Sequence, residues 1–505
     1  MEMENLYEKY VERFENLEWL EKVVSDSSLE DMKDLYYACK DHGLMKSSIL
    51  VLRQMCKNID AIEGEQIVEE LLNEEIFRHD SLNEVHEYFH NIILPCLLKK
   101  DSKPTVFFHL YGWLYGGAER AIARVINELC NRYTIILGVF SPVKNDTFYL
   151  DKKVRFLEIK EENNRSKRLY KLLCLLNVDI FVGNNNSIPE LFYIYEWLED
   201  TSIKTVAYCH EYYFYPHQSD IFCKQALLKN YCLGKANASV FLTSFSTNAY
   251  SLVKNNGVHI PNPLSFNIKQ SIKKEKTKNI LAVGRYFDYI KRIDLLLQVF
   301  AEVLKEEPEA ELTVVGEYNL NLQLPDTGDT VAALIDRLGL DERNVHFVGN
   351  QTDVSSWYGQ SDIFLLTSDN EGFPMVLVEA GAYGLPSVIF DIPGLDDIIL
   401  DGKNGYIVPR KVEAMAEKVV YLLKNEDVRQ KMSQKAKEHI EQFSVENIGN
   451  LWNKLFQKLL TEDKQTELNQ FYKENFRENI TDIKCFSQKV IEEYENNLSR
   501  IIENS

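Results

Sequence analysis

The sequence of 505 residues has no Cys-x-x-Cys pair, no Asp-x-Asp pair and no run of 18 or more apolar residues. Because its nine cysteines lack paired spacing, they indicate free thiols in a reducing cytoplasm rather than a zinc cluster. Without a long apolar run, no membrane-spanning helix is predicted. The acidic residues 1–20 lack the basic start and apolar core of a signal peptide. These absences favour a cytoplasmic location, either free or at the inner face of the membrane.

Positive charge is also scarce, since 57 Lys and Arg stand against 77 Asp and Glu and the formal net charge is −20. A nucleic-acid-binding protein is expected to carry a basic face, so this balance argues against nucleic acid as a partner. Enzymes that hold a diphosphate through a divalent metal commonly offer paired carboxylates. Because no Asp-x-Asp pair is present, a metal ion is not expected. No cofactor is expected either.

Hydrophobic patterns divide the chain into four parts. Residues 1–100 repeat apolar side chains at intervals of three and four, which predicts an accessory α-helical domain. Residues 101–264 and 265–460 each alternate strand and helix patterns, which indicates a parallel sheet with helices on both faces. Residues 461–505 return to a helical pattern. The expected fold class is therefore α/β, with two doubly wound Rossmann-like domains facing a cleft and helical additions at both ends.

Short β-branched and aromatic runs predict five strands in each Rossmann-like domain. The two series are separated at 260–264, where two prolines interrupt the pattern. Ligands in such folds bind beyond the carboxyl ends of the strands. The predicted strands are 105–110, 133–140, 178–182, 204–208 and 239–243 in the first domain, and 280–283, 311–315, 345–348, 363–367 and 387–390 in the second.

The segment from Glu371 to Glu379 is the most informative motif, because two carboxylates flank a Gly-Phe-Pro turn that opens an apolar helix. The free N–H groups and the dipole of a helix N-terminus suit a phosphate. If the eight-residue interval were helical, it would rise about 12 Å. One carboxylate could then contact a sugar and the other a ribose, because carboxylates accept hydrogen bonds from hydroxyls. The motif predicts a nucleotide-sugar site.

Three other motifs follow predicted strands. Gly116 and Gly117 leave room for a ligand at the next helix, although a tight packing turn explains them equally well. Arg285 follows a strand of the second domain, and Lys291 is expected to begin the next helix. The two cations would clamp a diphosphate, or else they face solvent. His210 is expected at the edge of the crevice, with a purely structural histidine as the alternative.

Together these motifs resemble the family 4 retaining glycosyltransferases, which have two Rossmann-like domains of the GT-B type. The likeness covers residues 104–460. The aromatic segment 286–290 departs from the family pattern, and residues 1–100 and 461–505 match nothing in the family. The matching pieces are Gly-Gly-Ala-Glu-Arg at 116–120, Val-Gly-Arg with a following lysine at 283–291, Glu-x7-Glu at 371–379, and the segments 401–409 and 443–446.

The resemblance implies a role for each motif. Arg285 and Lys291 would bind the donor diphosphate, Glu371 would contact the transferred sugar, and Glu379 would bind the ribose. His210 would approach the donor sugar from the acceptor side. Together with Arg285, Lys291 and Glu371, it forms the expected catalytic set, without a metal. Further donor contacts would come from two turns, at Gly116, Gly117, Gly372, Phe373, Pro374, Met375 and Val376.

The implied activity is retaining transfer of a hexosyl or N-acetylhexosaminyl group from a nucleotide-diphosphate sugar, with UDP as the expected nucleotide. The expected acceptor is a hydroxyl of a glycan, a polyol phosphate or a lipid-linked molecule, in cell-surface polysaccharide, teichoic acid or glycolipid synthesis. Two alternatives remain open: a catalytically inactive transferase-like partner subunit, and another GT-B enzyme such as a sugar phosphorylase or an epimerase. Peripheral membrane contact and a homo-oligomer formed through the helical ends also remain open.

Overall fold

The computed structural model describes Leu35, Val51 and residues 103–461, apart from 114–115, 141–147, 160–164, 177, 185, 200, 212–219, 266–277, 288 and 352. The accessory helical domain predicted for 1–100 lies outside these residues except for Leu35 and Val51. The predicted helical tail lies outside them beyond Thr461. No helix within the described ranges is both long enough and apolar enough to cross a bilayer.

The first sheet has seven parallel strands in the order β3-β2-β1-β4-β5-β6-β7. Strand β1 lies inside the sheet and all six of its residues are buried, as expected for a parallel strand covered on both faces. The strands are β1 (Thr105–Leu110), β2 (Thr134–Val139), β3 (Arg155–Glu158), β4 (Ile180–Gly183), β5 (Lys204–Cys209), β6 (Ala238–Phe241) and β7 (Gly257–His259).

Within the described ranges, five helices lie between or after the strands of this sheet in the chain. The first buries Ile122, Val125, Ile126 and Leu129 along one side, which is the spacing of an amphipathic helix. The fifth is capped by the Thr243 hydroxyl, which accepts a hydrogen bond from the amide of Ser246 at 3.2 Å. The helices are α1 (Gly117–Leu129), α2 (Arg165–Leu175), α3 (Pro189–Leu198), α4 (Asp220–Lys235) and α5 (Ser244–Ser251).

The second sheet has six parallel strands in the order β10-β9-β8-β11-β12-β13. Its strands are β8 (Asn279–Val283), β9 (Glu311–Val315), β10 (Val345–Gly349), β11 (Ile363–Leu366), β12 (Ser387–Phe390) and β13 (Gly405–Val408). The accompanying helices are α6 (Ile293–Glu306), α7 (Val331–Leu338), α8 (Ser355–Gln360), α9 (Met375–Ala382), α10 (Val412–Lys424), α11 (Glu426–Ile440) and α12 (Val445–Thr461).

The two-sheet α/β prediction is confirmed. All ten predicted strands are present, and their ends shift by at most two residues. Strands β3, β7 and β13 were missed. Each is only three or four residues long, and β3 carries a charged residue at either end. Such short segments gain their stability from pairing with a neighbouring strand and carry little pattern of their own.

Helix α12 returns to the first sheet, although its residues fall in the range predicted for the second domain. The ring of Trp452 lies 6.0 Å from that of Phe108 in β1 and 4.8 Å from that of Tyr208 in β5. The hydroxyl of Tyr133 donates to Asn453 Oδ1 at 2.8 Å. The end of the described chain therefore completes the core of the first half.

Candidate active site

The predicted motifs gather where the strand order reverses in each sheet. Strand β1 has β2 on one side and β4 on the other, and β8 likewise lies between β9 and β11. In doubly wound sheets the crevice for ligands opens beyond the carboxyl ends of strands at such a point. Gly116 follows β1 and His210 follows β5, while Arg285 follows β8 and Glu371 follows β11.

Lys291 and Glu371 form the centre of the site. Lys291 Nζ lies 2.5 Å from Glu371 Oε1, with side-chain exposures of 22% and 10%. The Ser368 hydroxyl donates to the same carboxylate oxygen at 2.6 Å. The expectation that Lys291 begins a helix is wrong, because it ends the 3-10 helix Tyr289–Lys291 and α6 begins at Ile293. The ammonium group of Lys291 nevertheless contacts the carboxylate of Glu371.

The loops that carry this pair are joined by backbone contacts. The Thr367 hydroxyl donates to the carbonyl oxygens of Lys291 at 3.1 Å and Arg292 at 3.2 Å. The amide of Asp369 donates to the carbonyl of Ile290 at 2.9 Å. Because these contacts flank both charged residues, they fix one loop against the other.

The Glu371–Glu379 segment is only half helical, so the expected 12 Å of continuous helix is wrong. Residues 371–374 form a turn, and α9 begins at Met375 with Pro374 at its N-cap and no side-chain capping bond. The first turn of α9 has the N–H groups that a helix leaves without internal partners. Phe373 is buried, with its ring 5.5 Å from that of Phe443.

Glu379 is fully buried and already has partners. Its carboxylate accepts hydrogen bonds from the hydroxyls of Ser265 and, at 2.8 Å, of Tyr358. Arg120 of the first half places a guanidinium nitrogen 3.3 Å from it. The sequence analysis did not predict these three contacts, although Arg120 ends its motif at 116–120, because the partners come from separate parts of the chain and only the fold brings them together.

The two halves meet closely at Gly372 and at Gly117. A Cβ atom at Gly372 would overlap the carbonyl oxygen of His210, so only glycine allows this approach. A Cβ atom at Gly117 would lie 3.8 Å from Met375 Cγ at the start of α9. The structure thus brings the predicted turns of both halves together.

His210 is oriented by Asn184, a residue that sequence reasoning did not single out. His210 Nε2 lies 2.9 Å from Asn184 Oδ1, and the rings of His210 and Tyr208 are 3.9 Å apart. Burial lowers the pKa of His210 to about 3, so the imidazole is neutral at physiological pH. The available sequence signal was position alone, since Asn184 directly follows strand β4.

Arg285 is exposed, and its ring contact is with Phe287. Its guanidinium carbon is 5.8 Å from the centre of the Phe287 ring. Burial raises the pKa of Glu119 in α1, and the positive charge of Arg285 opposes that rise. Among the described residues, no hydrogen bond or ion pair joins Arg285 to Glu371 or Lys291. The prediction that Arg285 and Lys291 clamp a diphosphate from two sides therefore stays a prediction.

Comparison with known proteins shows that this chain is similar to glycosyltransferases. Residues 265–439 match the family model described as Glycosyl transferases group 1. Over 355 residues, the chain is 26% identical to a Haemophilus influenzae protein named uncharacterized glycosyltransferase, covering 67% of this chain and 95% of that one. A Staphylococcus aureus poly(ribitol-phosphate) alpha-N-acetylglucosaminyltransferase is 33% identical over 169 residues, which make up 33% of each chain.

Among solved structures, Anabaena Alr3699/HepE in complex with UDP gives a TM-score of 0.59 at 18% identity. The match covers 70% of this chain and all of the Anabaena chain. This likeness concerns the fold, which is the GT-B arrangement of two Rossmann-like halves.

Proposed function

Residues 265–439 belong to the glycosyl transferases group 1 family, and on this premise we propose that the protein is a retaining glycosyltransferase. It would move a sugar from a nucleoside-diphosphate sugar to a hydroxyl acceptor. The observation that carries the proposal is the Lys291–Glu371 pair, held at 2.5 Å in the crevice beyond β8 and β11. The contact of Gly372 with His210 brings the other half of the protein to the same place.

In this mechanism the bond between the anomeric carbon and the diphosphate oxygen breaks. The acceptor hydroxyl attacks on the face that the diphosphate leaves, and its proton passes to the departing phosphate oxygen. Lys291 stabilises the negative charge that develops on the diphosphate, because a fixed cation in a partly buried site needs little reorganisation. Glu371, released from Lys291, stabilises positive charge at the anomeric carbon.

The remaining donor contacts follow from the surrounding turns. The exposed guanidinium of Arg285 is available for a phosphate, and the first turn of α9 offers backbone N–H groups to phosphate or sugar oxygens. For Glu379 to bind the ribose, a ribose hydroxyl must reach a fully buried carboxylate, and it could use the acceptor position that Tyr358 leaves on Oε2. The proposed site therefore uses side-chain cations and helix dipoles, and we expect transfer to persist in a metal chelator.

We propose a UDP-linked hexose or N-acetylhexosamine as donor, and a glycan, polyol phosphate or lipid-linked hydroxyl as acceptor. The Anabaena structure with UDP supports the nucleotide, and the staphylococcal relative, named for poly(ribitol-phosphate), supports the acceptor class. We also propose a cytoplasmic location. The free thiols of Cys130, Cys174, Cys209 and Cys232 support it, because disulfides are rare in that compartment.

The test is the initial rate of transfer by Lys291→Ala and Glu371→Gln variants with UDP-sugars. Each change should reduce kcat by about 10²–10³-fold, the range measured when one preorganised charge-stabilising group is removed. The matched control is Lys424→Ala, which breaks an exposed Lys–Glu pair with a distance of 2.6 Å on the surface. Turnover close to that of the control in both site variants would contradict the proposal.

A further inference from the structure

Asn184 connects strand β1 to His210 from a fully enclosed position. It directly follows β4 and is 1% exposed. Its side-chain Nδ2 donates to the carbonyl oxygen of His109 at 2.7 Å, and its backbone amide donates to the same oxygen at 3.2 Å. On the other side, its Oδ1 lies 2.9 Å from His210 Nε2.

These contacts determine which nitrogen of His210 carries the proton. A carbonyl oxygen only accepts hydrogen bonds, so the amide nitrogen of Asn184 must face His109 and its Oδ1 must face His210. Because Oδ1 also only accepts, Nε2 of His210 must be the N–H. A neutral imidazole has one N–H, so Nδ1 is left as an acceptor.

Nδ1 of His210 is buried and has no hydrogen-bond partner among the residues that the structure describes. A buried polar atom without a partner is costly, and a ligand hydroxyl would remove that cost. The backbone of His210 touches Gly372, the residue after Glu371, so His210 lies next to the segment of the proposed sugar site.

We infer that Asn184 is a positioning residue, which holds His210 as the Nε2–H tautomer so that Nδ1 can accept a hydrogen bond from a hydroxyl of the donor sugar. The inference rests on the proposed function for the identity of that hydroxyl. The tautomer itself follows from the contacts of this chain and can be measured without any transfer reaction.

The first experiment is NMR of the full chain labelled with ¹⁵N in its ten histidines. The His210 signals are assigned by their loss in His210→Gln. Wild type should show the Nε2–H tautomer, neutral at pH 7. In Asn184→Leu the preference for that tautomer should be lost, because the acceptor is gone. In Asn184→Asp, which keeps the side-chain shape, the nearby carboxylate should raise the pKa of His210 and favour imidazolium.

Asn186 provides the matched control. It is also buried and lies just beyond the same strand, but its Nδ2 donates to the carbonyls of Gly183 at 3.1 Å and Tyr208 at 3.0 Å. Asn186→Leu should lower the Tm about as much as Asn184→Leu while the tautomer of His210 stays unchanged. An unchanged tautomer in Asn184→Leu, or an equal change in both variants, would overturn the inference.

Transfer kinetics test the role of Asn184 independently of the NMR measurement. Asn184→Leu should lower kcat by about tenfold with a smaller change in KM for the donor, as expected when one hydrogen bond is lost in the transition state. Asn184→Leu combined with His210→Ala should be no slower than His210→Ala alone, because Asn184 acts through His210. If the losses of kcat from the two substitutions multiply in the double variant, the inference is wrong. A wild type with the expected tautomer but no transfer would instead contradict the proposed function.

Discussion

Burial controls the protonation of single side chains near the crevice, and His109 is the clearest case. Its ring is fully buried in β1, 4.4 Å from the ring of Phe140 and 6.3 Å from that of Phe181. Burial lowers its pKa to about 3 from an ordinary value of 6.5, against a smaller opposing effect from the backbone of Asn184. The folded state therefore keeps this imidazole neutral where the unfolded chain would protonate it.

This difference predicts how stability depends on pH. Between pH 6.5 and 3 the unfolded state binds one more proton at His109, so the free energy of unfolding falls as pH falls, by about 1.4 kcal/mol per pH unit. Above pH 6.5 the contribution is fully present. His109→Leu should reduce this slope, measured by urea unfolding at pH 7.5, 6 and 5.

The control for that measurement is Val106→Ala, a buried change on the same strand without a titratable group. It should lower stability by a similar amount at each pH, through lost burial and the cavity left behind. If His109→Leu and wild type show parallel curves of unfolding free energy against pH, the neutral buried histidine is not the cause.

The junction between the 3-10 turn and helix α6 is built around Arg292. This residue has left-handed backbone angles, φ 49° and ψ 57°, which cost a residue with a Cβ atom about 1–2 kcal/mol. Its guanidinium donates to both carboxylate oxygens of Asp294, at 3.0 and 2.8 Å, and to Asp369 at 3.1 Å. Because Asp369 belongs to the loop of Glu371, Arg292 ties the Lys291 turn to that loop.

Two substitutions at Arg292 separate its backbone from its side chain. Arg292→Ala loses the ion pairs and keeps the strained backbone, so we expect a loss of about 2–4 kcal/mol of stability. Arg292→Gly loses the same pairs but tolerates the left-handed angles, and should be more stable than the alanine variant by about 1 kcal/mol. Denaturant unfolding measures both. An alanine variant as stable as the glycine variant would refute the assignment of strain.

The same junction marks a limit of sequence reasoning. Period and composition place ten of the thirteen described strands within two residues, because those strands carry apolar runs. They do not reveal that the backbone reverses hand at Arg292, so Lys291 was expected to begin a helix that starts at Ile293. The energetic cost of that backbone conformation is offset by the contact of Arg292 with Asp369, 77 residues away in the chain.

The candidate site divides in the same way. Lys291, Glu371, Gly372 and His210 could be predicted, because parallel strands end at one edge of a sheet and these residues follow strand ends. Their roles in chemistry remain predictions. Asn184 could not be predicted, since one amide after a strand has no distinctive pattern and its importance depends on two partners, 75 and 26 residues away.

The two halves of the chain are joined by contacts outside the crevice as well as within it. Asp397 of the second half accepts hydrogen bonds from the amide and hydroxyl of Ser244 at the start of α5, both at 2.6 Å. Arg120 reaches Glu379 at 3.3 Å. Helix α12 carries Trp452 onto the first sheet. The last described helix, α12, therefore packs on the first half, which contains β1.

This arrangement predicts that Trp452 stabilises the first sheet more than the second. Trp452 is fully buried, and Trp452→Ala should cost about 3–5 kcal/mol through lost burial and the cavity left behind. In hydrogen exchange followed by mass spectrometry, amides of β1 and β5 should lose more protection than amides of β9 and β10. The matched control is Phe300→Ala, since Phe300 is fully buried in α6 and belongs to the core that contains Leu312 of β9 and Val345 of β10, so it should reverse that order. Equal loss in both sheets for Trp452→Ala would show that the halves unfold as one unit, and the packing of α12 would then not decide where stability resides.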